Sequence, residues 1–328
     1  MLCVNWLRPT DVLAKYYICA MKTVIMAIML LVARQGDTLN VMFWNLENFF
    51  DYRNDSTSVS DAEFSSRGAR HWTKKRFYTK CNAVAKAIMW TSGQKGTLPD
   101  VIGVAEVENA FVLRRLLQST VLSKTDYRII HFDSPDRRGI DVALLYRSTK
   151  LQLQDAKPCH LYNEDSTVML TRDILLSRFK TASGQDVAVL VNHHPSKYGG
   201  AKVSVPRRRR AINRLGQLAD SLLGPPLIIA MGDFNDTPQN PQYQALPLVN
   251  AALPLYKRGE GTIKYNGRWE LIDMFFTNSQ SAKMDIIYIP FLQTRDKAAT
   301  GTKPLRTYSG PRYLGGVSDH CPVWLTVY

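Results

Sequence analysis

The chain has 328 residues, 45% of them hydrophobic, and its 42 Lys and Arg against 28 Asp and Glu give a formal net charge of +14. That apolar content is enough for a large core, and the absence of a low-complexity or Pro/Ser-rich linker favours one domain over two. The basic excess favours an anionic partner, nucleic acid first and an anionic lipid surface second. The five cysteines include no C-x-x-C pair, which argues against a disulfide framework or a zinc motif.

The N-terminal segment has the pattern of a secretory signal. Residues 21–37 read MKTVIMAIMLLVARQGD, in which Lys22 precedes an apolar run that ends in Leu-Val-Ala. A basic residue, an apolar stretch and a cleavage site are typical of signal peptides. We therefore expect residues 1–33 to be a leader that is removed on export to the periplasm or the medium, and one domain to span residues 38–328. An uncleaved membrane anchor is the second alternative, because residues 16–33 are interrupted only by Lys22.

Strands and helices alternate along the rest of the chain. Apolar runs bounded by turn residues predict strands, and apolar side chains spaced three and four apart predict helices. The predicted strands are Leu39–Trp44, Val101–Ala105, Val142–Tyr146, Val187–Val191, Leu227–Ala230, Phe275-Phe276 and Val323–Val327, and the predicted helices are Arg76–Trp90, Leu113–Leu122 and Arg207–Leu223. With many strands and few helices, a layered α/β sandwich fits better than a strict βα barrel.

Polar or ionisable residues stand at the ends of six of these strands. They are Asn45 and Glu47, Glu106, Asn192 with His193 and His194, Asp233 and Asn235, Asp273, and Asp319 with His320. Asp233 and Asn235 alone would fit a simple Asx turn equally well. Six polar strand ends together favour a convergent site of carboxylates, amides and imidazoles.

Seven short motifs contain these residues. They are WNLEN (44–48), VAEVEN (104–109), RGIDVALLY (138–146), VNHHPS (191–196), GDFNDTP (232–238), LIDMFF (271–276) and SDHCPV (318–323). In this order and spacing they resemble the endonuclease/exonuclease/phosphatase family, which includes DNase I-like nucleases, sphingomyelinases and inositol-polyphosphate phosphatases. The resemblance implies a four-layer α/β sandwich, with two mixed β-sheets packed face to face and helices outside, and a metal-dependent phosphoesterase.

The residue types suit phosphate ester hydrolysis, in which water attacks phosphorus and negative charge grows on the phosphoryl oxygens. Mg²⁺ prefers a few carboxylate oxygens, which suits Glu106 with help from Glu47 and Asn45, and Mn²⁺ is the expected substitute. The resemblance implies that Glu106 is the principal ligand and that Asp319 also binds the metal. The resemblance further implies that Asp233 positions or deprotonates the attacking water and that Asn235 donates a hydrogen bond to a phosphoryl oxygen.

The resemblance also assigns roles to the histidines. His320 is expected to contact the scissile phosphate, with Asp273 holding its charge. His193 matches the second catalytic position, and Asp141 is its expected carboxylate partner. His194 is placed beside the substrate, although packing is the favoured interpretation of its ring. Further substrate contacts are expected from Arg138, Asn192 and Arg207.

Two basic runs leave the substrate open. Residues 70–77, RHWTKKRF, could follow a phosphate backbone and stack bases, or form a solvated loop whose aromatics lie in the core. In residues 207–210, four consecutive arginines cannot share one helix face. A nuclease acting on DNA or RNA, most simply as an endonuclease, is favoured; the alternative is a phosphatase or phospholipase C-type enzyme acting on lipid or sugar phosphates. Nothing indicates a protein partner, and a monomer is expected.

Overall fold

The computed structural model describes residues 38–53, 59–197, 199–222, 224 and 226–328. The predicted leader, residues 1–33, lies outside the described residues, so export stays a prediction. Within the described ranges, every helix is too short or too polar to cross a membrane.

Among the described residues, twelve strands form two six-stranded sheets. The strands are β1 (Leu39–Phe49), β2 (Val101–Val107), β3 (Tyr127–His131), β4 (Asp141–Arg147), β5 (Leu151–Cys159), β6 (Ile174–Thr181), β7 (Asp186–His193), β8 (Leu227–Asp233), β9 (Val249–Asn250), β10 (Asp273–Thr277), β11 (Lys283–Ile286) and β12 (Val323–Val327). The first sheet has the order β11-β12-β1-β2-β4-β3, and the second has the order β5-β6-β7-β8-β10-β9. Both sheets are mixed, because β1 and β2 are parallel, as are β7 and β8, whereas the remaining neighbours are antiparallel.

In the described part of the chain, five α-helices accompany the sheets. They are α1 (Val59–Glu63), α2 (Lys74–Lys95), α3 (Ala110–Gln118), α4 (Ala201–Ser221) and α5 (Leu253–Lys257). Short 3₁₀ helices cover Val121–Lys124, Pro241–Ala245 and Pro290–Leu292, and three small hairpins are formed by residues 263–270, 293–304 and 308–313.

The side chains of β1 show how the layers are built. Val41 and Phe43 enter the core that contains β7 and β8 of the other sheet, whereas Met42 and Trp44 enter the core formed with α2 and α3. Alternate residues of a strand point to opposite faces, so a strand that is buried on both faces needs an unbroken apolar sequence. Helix α4 packs in the same core as the second sheet. The predicted four-layer α/β sandwich is confirmed.

The helix boundaries differ from the prediction. Helix α3 begins at Ala110, where the Asn109 side chain accepts a hydrogen bond from the Val112 amide at 3.1 Å, and the predicted C-terminal part is a separate 3₁₀ turn. Helix α4 begins at Ala201, so that Pro206 lies inside the helix and not at its start. Helix α2 extends five residues beyond the predicted end, to Lys95.

Candidate active site

The predicted site residues meet at one edge of the sandwich. Register places His193 at the end of β7 beside Asp233 at the end of β8, and Asp233 beside Asp273 at the start of the antiparallel strand β10. Side chains at paired positions of adjacent strands lie on the same face of a sheet. The polar ends of the apolar strands are therefore brought together, as the sequence pattern predicts.

Asp233 lies at the centre of these polar groups. Its Oδ2 accepts a hydrogen bond from Asn45 Nδ2 at 3.0 Å, and its Oδ1 accepts one from the Asn235 amide at 2.9 Å. The ring nitrogens His193 Nε2 and His320 Nε2 lie 3.6 Å and 3.9 Å from Asp233 Oδ2. Burial raises the pKa of Asp233 to about 7, with Asp273 acting in the same direction and His320 opposing it. A carboxylate with a pKa near neutrality is suited to act as a general base.

His320 is held as an imidazolium by a buried carboxylate. Its Nδ1 lies 2.8 Å from Asp273 Oδ2, and both side chains are buried. The hydroxyl of Ser318 accepts a hydrogen bond from the His320 amide at 3.0 Å and donates one to the Asn45 carbonyl at 2.6 Å. Burial opposes the charge, but the carboxylates of Asp273 and Asp233 hold the pKa of His320 well above its ordinary value.

His193 has the opposite charge state. Burial, with the positive charges of Arg172 and Arg138, holds the pKa of His193 well below its ordinary value. Its Nε2 lies 3.9 Å from Glu106 Oε1, and among the described residues its Nδ1 has no hydrogen-bond partner. A neutral imidazole and an imidazolium therefore both lie near Asp233 Oδ2.

Asp141 does not pair with His193 as predicted. Its Oδ2 lies 3.0 Å from His131 Nε2, and its Oδ1 accepts hydrogen bonds from the amide and the hydroxyl of Ser134. The register explains this, because β4 is antiparallel to β3 and His131 lies on that neighbouring strand. Asp141 is thus engaged with His131 and Ser134.

The side chains of His194 and Asn192 make contacts inside the second sheet. The His194 ring is 1% exposed and packs edge-on against Phe234, with ring centroids 4.8 Å apart. The Asn192 amide donates hydrogen bonds to the carbonyls of Leu190 and Met231 at 3.1 Å and 3.2 Å. The His194 ring lies in the core, which agrees with the packing interpretation, and the Asn192 amide is occupied by the strand backbone.

Three carboxylates lie beside the histidines. Glu106 Oε2 accepts a hydrogen bond from the Asn48 amide at 2.8 Å. Glu47 Oε1 accepts from Arg306 Nε and Nη2 at 2.9 Å and 2.7 Å, and Glu47 Oε2 accepts from the Thr307 amide at 2.9 Å. The Arg306 guanidinium also lies 3.1 Å from Asp319 Oδ2, so it bridges two of the predicted metal ligands.

The backbone is strained at the same positions. Four of the seven described non-glycine residues with positive φ belong to this edge: Glu47 (45°), Asn48 (51°), Glu106 (60°) and Asn235 (51°). Such left-handed backbone is unfavourable for side chains with a Cβ and tends to cluster at functional sites. The strain points to these strand ends as the functional region.

The comparisons with known proteins identify the family. The family model described as "Endonuclease/Exonuclease/phosphatase family" matches residues 40–328. The chain belongs to the endonuclease/exonuclease/phosphatase family. Members of this family hydrolyse phosphate esters and typically depend on a divalent metal. A search of curated protein sequences found no match.

Solved structures with the same fold share little sequence with this family member. A D. rerio TDP2 structure, described as complexed with a single-strand DNA product, is 14% identical with a TM-score of 0.54, covering 89% of this chain and 100% of that one. A Bacteroides thetaiotaomicron family protein is 16% identical (TM-score 0.56; 89% and 95% covered), and the human Nocturnin catalytic domain with bound sulfate is 16% identical (TM-score 0.53; 90% and 98% covered). At these identities the likeness concerns the fold.

The carboxylates of this family member fit a divalent cation. Burial and the charge of Asp319 raise the pKa of Glu47 to about 7, even though Arg306 and Lys80 act in the opposite direction. Crowded, partly dehydrated carboxylate oxygens are the ligands that hard Mg²⁺ favours. The ligand atoms of Asp233, Asp273 and His320 also lie within 4.8 Å of one another, but His320 and Asp273 are bonded to each other. Glu47 and Asp319 are likewise paired, with Arg306, so the choice of Glu47, Glu106 and Asp319 as metal ligands stays a prediction.

Sequence reasoning missed two cations of the site. Lys80 lies on the buried face of α2, and its Nζ donates hydrogen bonds to the Glu47 carbonyl at 2.6 Å and to Thr307 Oγ1 at 2.9 Å. Burial lowers the pKa of Lys80 to about 8. A lysine between Phe77 and Cys81 on an apolar helix face was a usable signal, whereas Arg306 lies in a loop without a motif.

Proposed function

We propose that this chain is a divalent-metal-dependent phosphodiesterase that cleaves DNA or RNA, most simply as an endonuclease. One observation carries the proposal: the buried Asp233 carboxylate is flanked by Asn45, Asn235, a neutral His193 and a charged His320. This arrangement combines a base, hydrogen-bond donors and a positive charge around one point, which is what hydrolysis of a phosphate ester requires.

In the proposed mechanism, Asp233 orients a water molecule and accepts its proton. Asn45 and the Asn235 amide fix the carboxylate through its two oxygens, at 3.0 Å and 2.9 Å. A fixed acceptor holds the water in line with phosphorus without further rearrangement. The pKa of about 7 for Asp233 lets it accept a proton near neutral pH.

His320 and Asn235 stabilise the charge that grows on the phosphoryl oxygens. The imidazolium of His320 has Nδ1 bound to Asp273, which leaves Nε2 to donate to an oxygen of the phosphate. The Asn235 side chain donates one N–H to the His194 carbonyl at 3.0 Å and retains a second N–H for substrate. Donors fixed in a dehydrated site stabilise such charge more strongly than donors in water.

The metal is proposed to be Mg²⁺, with Mn²⁺ as a substitute, held by Glu106, Glu47 and Asp319 with help from Asn45. When bound, it would supply positive charge to the phosphate and the leaving oxygen. In this chain, Lys80 binds the backbone carbonyl of Glu47, while Arg306 and the Thr307 amide bind its carboxylate, so the carboxylate is positioned before any cation arrives.

The charge of the chain supports nucleic acid as the substrate. The net charge is +14, and two arginines lie at the site, Arg138 beside Glu106 and Arg306 beside Glu47. Cations beside a phosphate site suit a substrate that carries further phosphates. The similarity in fold to a TDP2 described as bound to a DNA product agrees with this proposal.

A substrate panel tests the proposal. Plasmid DNA, RNA, bis-p-nitrophenyl phosphate, p-nitrophenyl phosphate and sphingomyelin are each incubated with Mg²⁺ or with EDTA. Asp233→Asn, prepared in parallel, controls for contaminating nucleases. We expect Mg²⁺-dependent cleavage of DNA or RNA that is absent in the variant. Faster hydrolysis of p-nitrophenyl phosphate or sphingomyelin than of either nucleic acid would replace this proposal with the phosphatase or phospholipase alternative.

A further inference from the structure

A cavity of about 780 Å³ opens beside the active site. It is lined by the loop between β3 and β4, the loop between β5 and β6, the segment after β7, and α4. Its volume lies within the range of pockets that hold nucleotide-sized ligands. Its lining includes Arg138 but none of the residues given a step in the proposed mechanism, so it offers room for a part of the substrate that does not react.

The cavity is strongly basic. Arg137, Arg138, Arg172 and Arg207 line it, against one acidic lining residue, Asp136, whose Oδ2 lies 3.0 Å from Arg172 Nη1. Within the described ranges, neither Arg137 nor Arg207 pairs with a carboxylate, and Arg207 makes one long contact of 3.5 Å to the Leu170 carbonyl. Guanidinium groups that lack an acidic partner suit an anionic ligand, and their planar N–H pairs match phosphate oxygens.

Two of the arginines connect the cavity to the catalytic centre. Arg172 is 7% exposed, and its Nη2 donates to the His194 carbonyl at 2.7 Å, the same carbonyl that accepts from Asn235. In the part of the chain that the structure describes, Arg172 Nε has no hydrogen-bond partner. Arg138 Nη2 lies 2.6 Å from Asn48 Oδ1 and 3.5 Å from Glu106 Oε2. A ligand in the cavity would therefore lie next to a phosphate at Asp233.

We propose that this arginine cavity binds the phosphate adjacent to the cleaved one, together with its nucleoside. The enzyme would then select nucleic-acid strands over isolated phosphodiesters. The apolar side chains of Met169 and Leu170 in its wall suit the ribose or base, and the arginines suit the phosphate. The inference rests on the proposed nuclease function and specifies its substrate as a chain with at least two linkages. An ester such as bis-p-nitrophenyl phosphate has no second phosphate to offer.

A double-mutant cycle between protein and substrate tests this inference. Short single-stranded oligonucleotides are made with one neutral methylphosphonate linkage, placed on the 5′ or the 3′ side of the scissile phosphate. The enzyme is compared as wild type, Arg207→Gln and the control Arg209→Gln, which makes the same charge change at an exposed position of the same helix. The readout is kcat/KM for each pair of protein and substrate, with bis-p-nitrophenyl phosphate as the reference ester.

We expect one neutral linkage to reduce the kcat/KM of the wild type by roughly tenfold or more, as when a charge-assisted contact is lost. The same linkage should reduce the kcat/KM of Arg207→Gln only a little, because the guanidinium that contacts this linkage is already missing. The control Arg209→Gln should behave like the wild type. Equal penalties for Arg207→Gln and the wild type at both linkages would overturn the inference. A wild type that hydrolyses the reference ester but cleaves no oligonucleotide would instead refute the nuclease proposal itself.

Discussion

His320 Nδ1 lies 2.8 Å from Asp273 Oδ2, and Asp273 is in register with Asp233 on the neighbouring strand. The Asp273 carboxylate thus holds the positive charge of His320, whose Nε2 lies 3.9 Å from Asp233 Oδ2. The two strand ends place an acid and a base side by side in a buried position. This relationship makes the charge state of His320 the property to test first.

Replacing Asp273 by Asn should remove the charge that holds the His320 proton. The pKa of His320 is raised in the folded protein, so the imidazolium persists to high pH and is lost only as the pH rises through that raised value. In Asp273→Asn the loss should occur at lower pH, and kcat should fall by roughly 10²–10³-fold. The pH profile of kcat provides the measurement. Asp155→Asn, which breaks an exposed ion pair with Arg178, is the control and should leave the profile unchanged.

Metal affinity should depend on the protonation of Glu47. Its pKa of about 7 in the metal-free protein means that a proton competes with the cation below neutral pH. Affinity for Mn²⁺, measured by titration calorimetry between pH 6 and pH 8, should rise with pH and level off above about 7. In Glu47→Gln the affinity should be lower and this pH dependence should disappear. An unchanged pH dependence would show that Glu47 is not a ligand. Asp186→Asn, at an exposed surface pair, serves as the control.

Replacement of Glu106, the proposed metal ligand, should abolish turnover and keep the fold. Glu106→Gln preserves volume and one acceptor for the Asn48 amide but removes the charge. Activity with Mg²⁺ should collapse, while the circular dichroism spectrum stays that of the wild type. Activity of the wild type in EDTA equal to that in Mg²⁺ would contradict the metal proposal.

The two adjacent histidines should respond very differently to substitution. His194 is buried against Phe234, and burial lowers its pKa to about 3, so it is neutral and packs. His194→Phe should therefore retain most of the activity. His193→Ala removes a ring 3.6 Å from Asp233 and should reduce kcat by roughly two or more orders of magnitude. An inactive His194→Phe with an active His193→Ala would reverse the assignment.

The sequence was sufficient for the fold class and for most of the converging residues. The buried strand Leu227–Asp233 is predicted by its apolar run, and the polar residue at its end, Asp233, follows directly in the sequence. Strand β5 was missed because its sequence, LQLQDAKPC, is polar and half exposed at a sheet edge. The pairing of Asp141 with His131 depends on strand order, and the bridge from Arg306 to Glu47 spans 259 positions of the chain. Local patterns carry no information on such contacts.

The basic run at the start of α2 contains both buried aromatic residues and exposed lysines. Trp72 and Phe77 lie in the core, so they cannot stack bases, and Arg76 donates to the carbonyls of Arg70 and His71 at 2.9 Å. Lys74 and Lys75 are exposed and remain available to a phosphate backbone. If these lysines contact the nucleic acid, reversing both charges should weaken its binding. The slope of log affinity against log salt should then decrease by roughly 0.7 per lost contact on single-stranded nucleic acid.

The control for that experiment reverses two exposed lysines elsewhere, Lys124 and Lys257, and makes the same change in net charge. Affinity for labelled single-stranded DNA is measured by fluorescence anisotropy at several salt concentrations. If Lys74 and Lys75 contact the DNA, the variant with these two charges reversed should have a smaller salt slope than the control variant. Equal slopes in both double variants would mean that these lysines act only through overall charge. An absence of salt dependence in the wild type would remove the basic excess as support for a nucleic-acid substrate, because phosphate contacts necessarily release counterions.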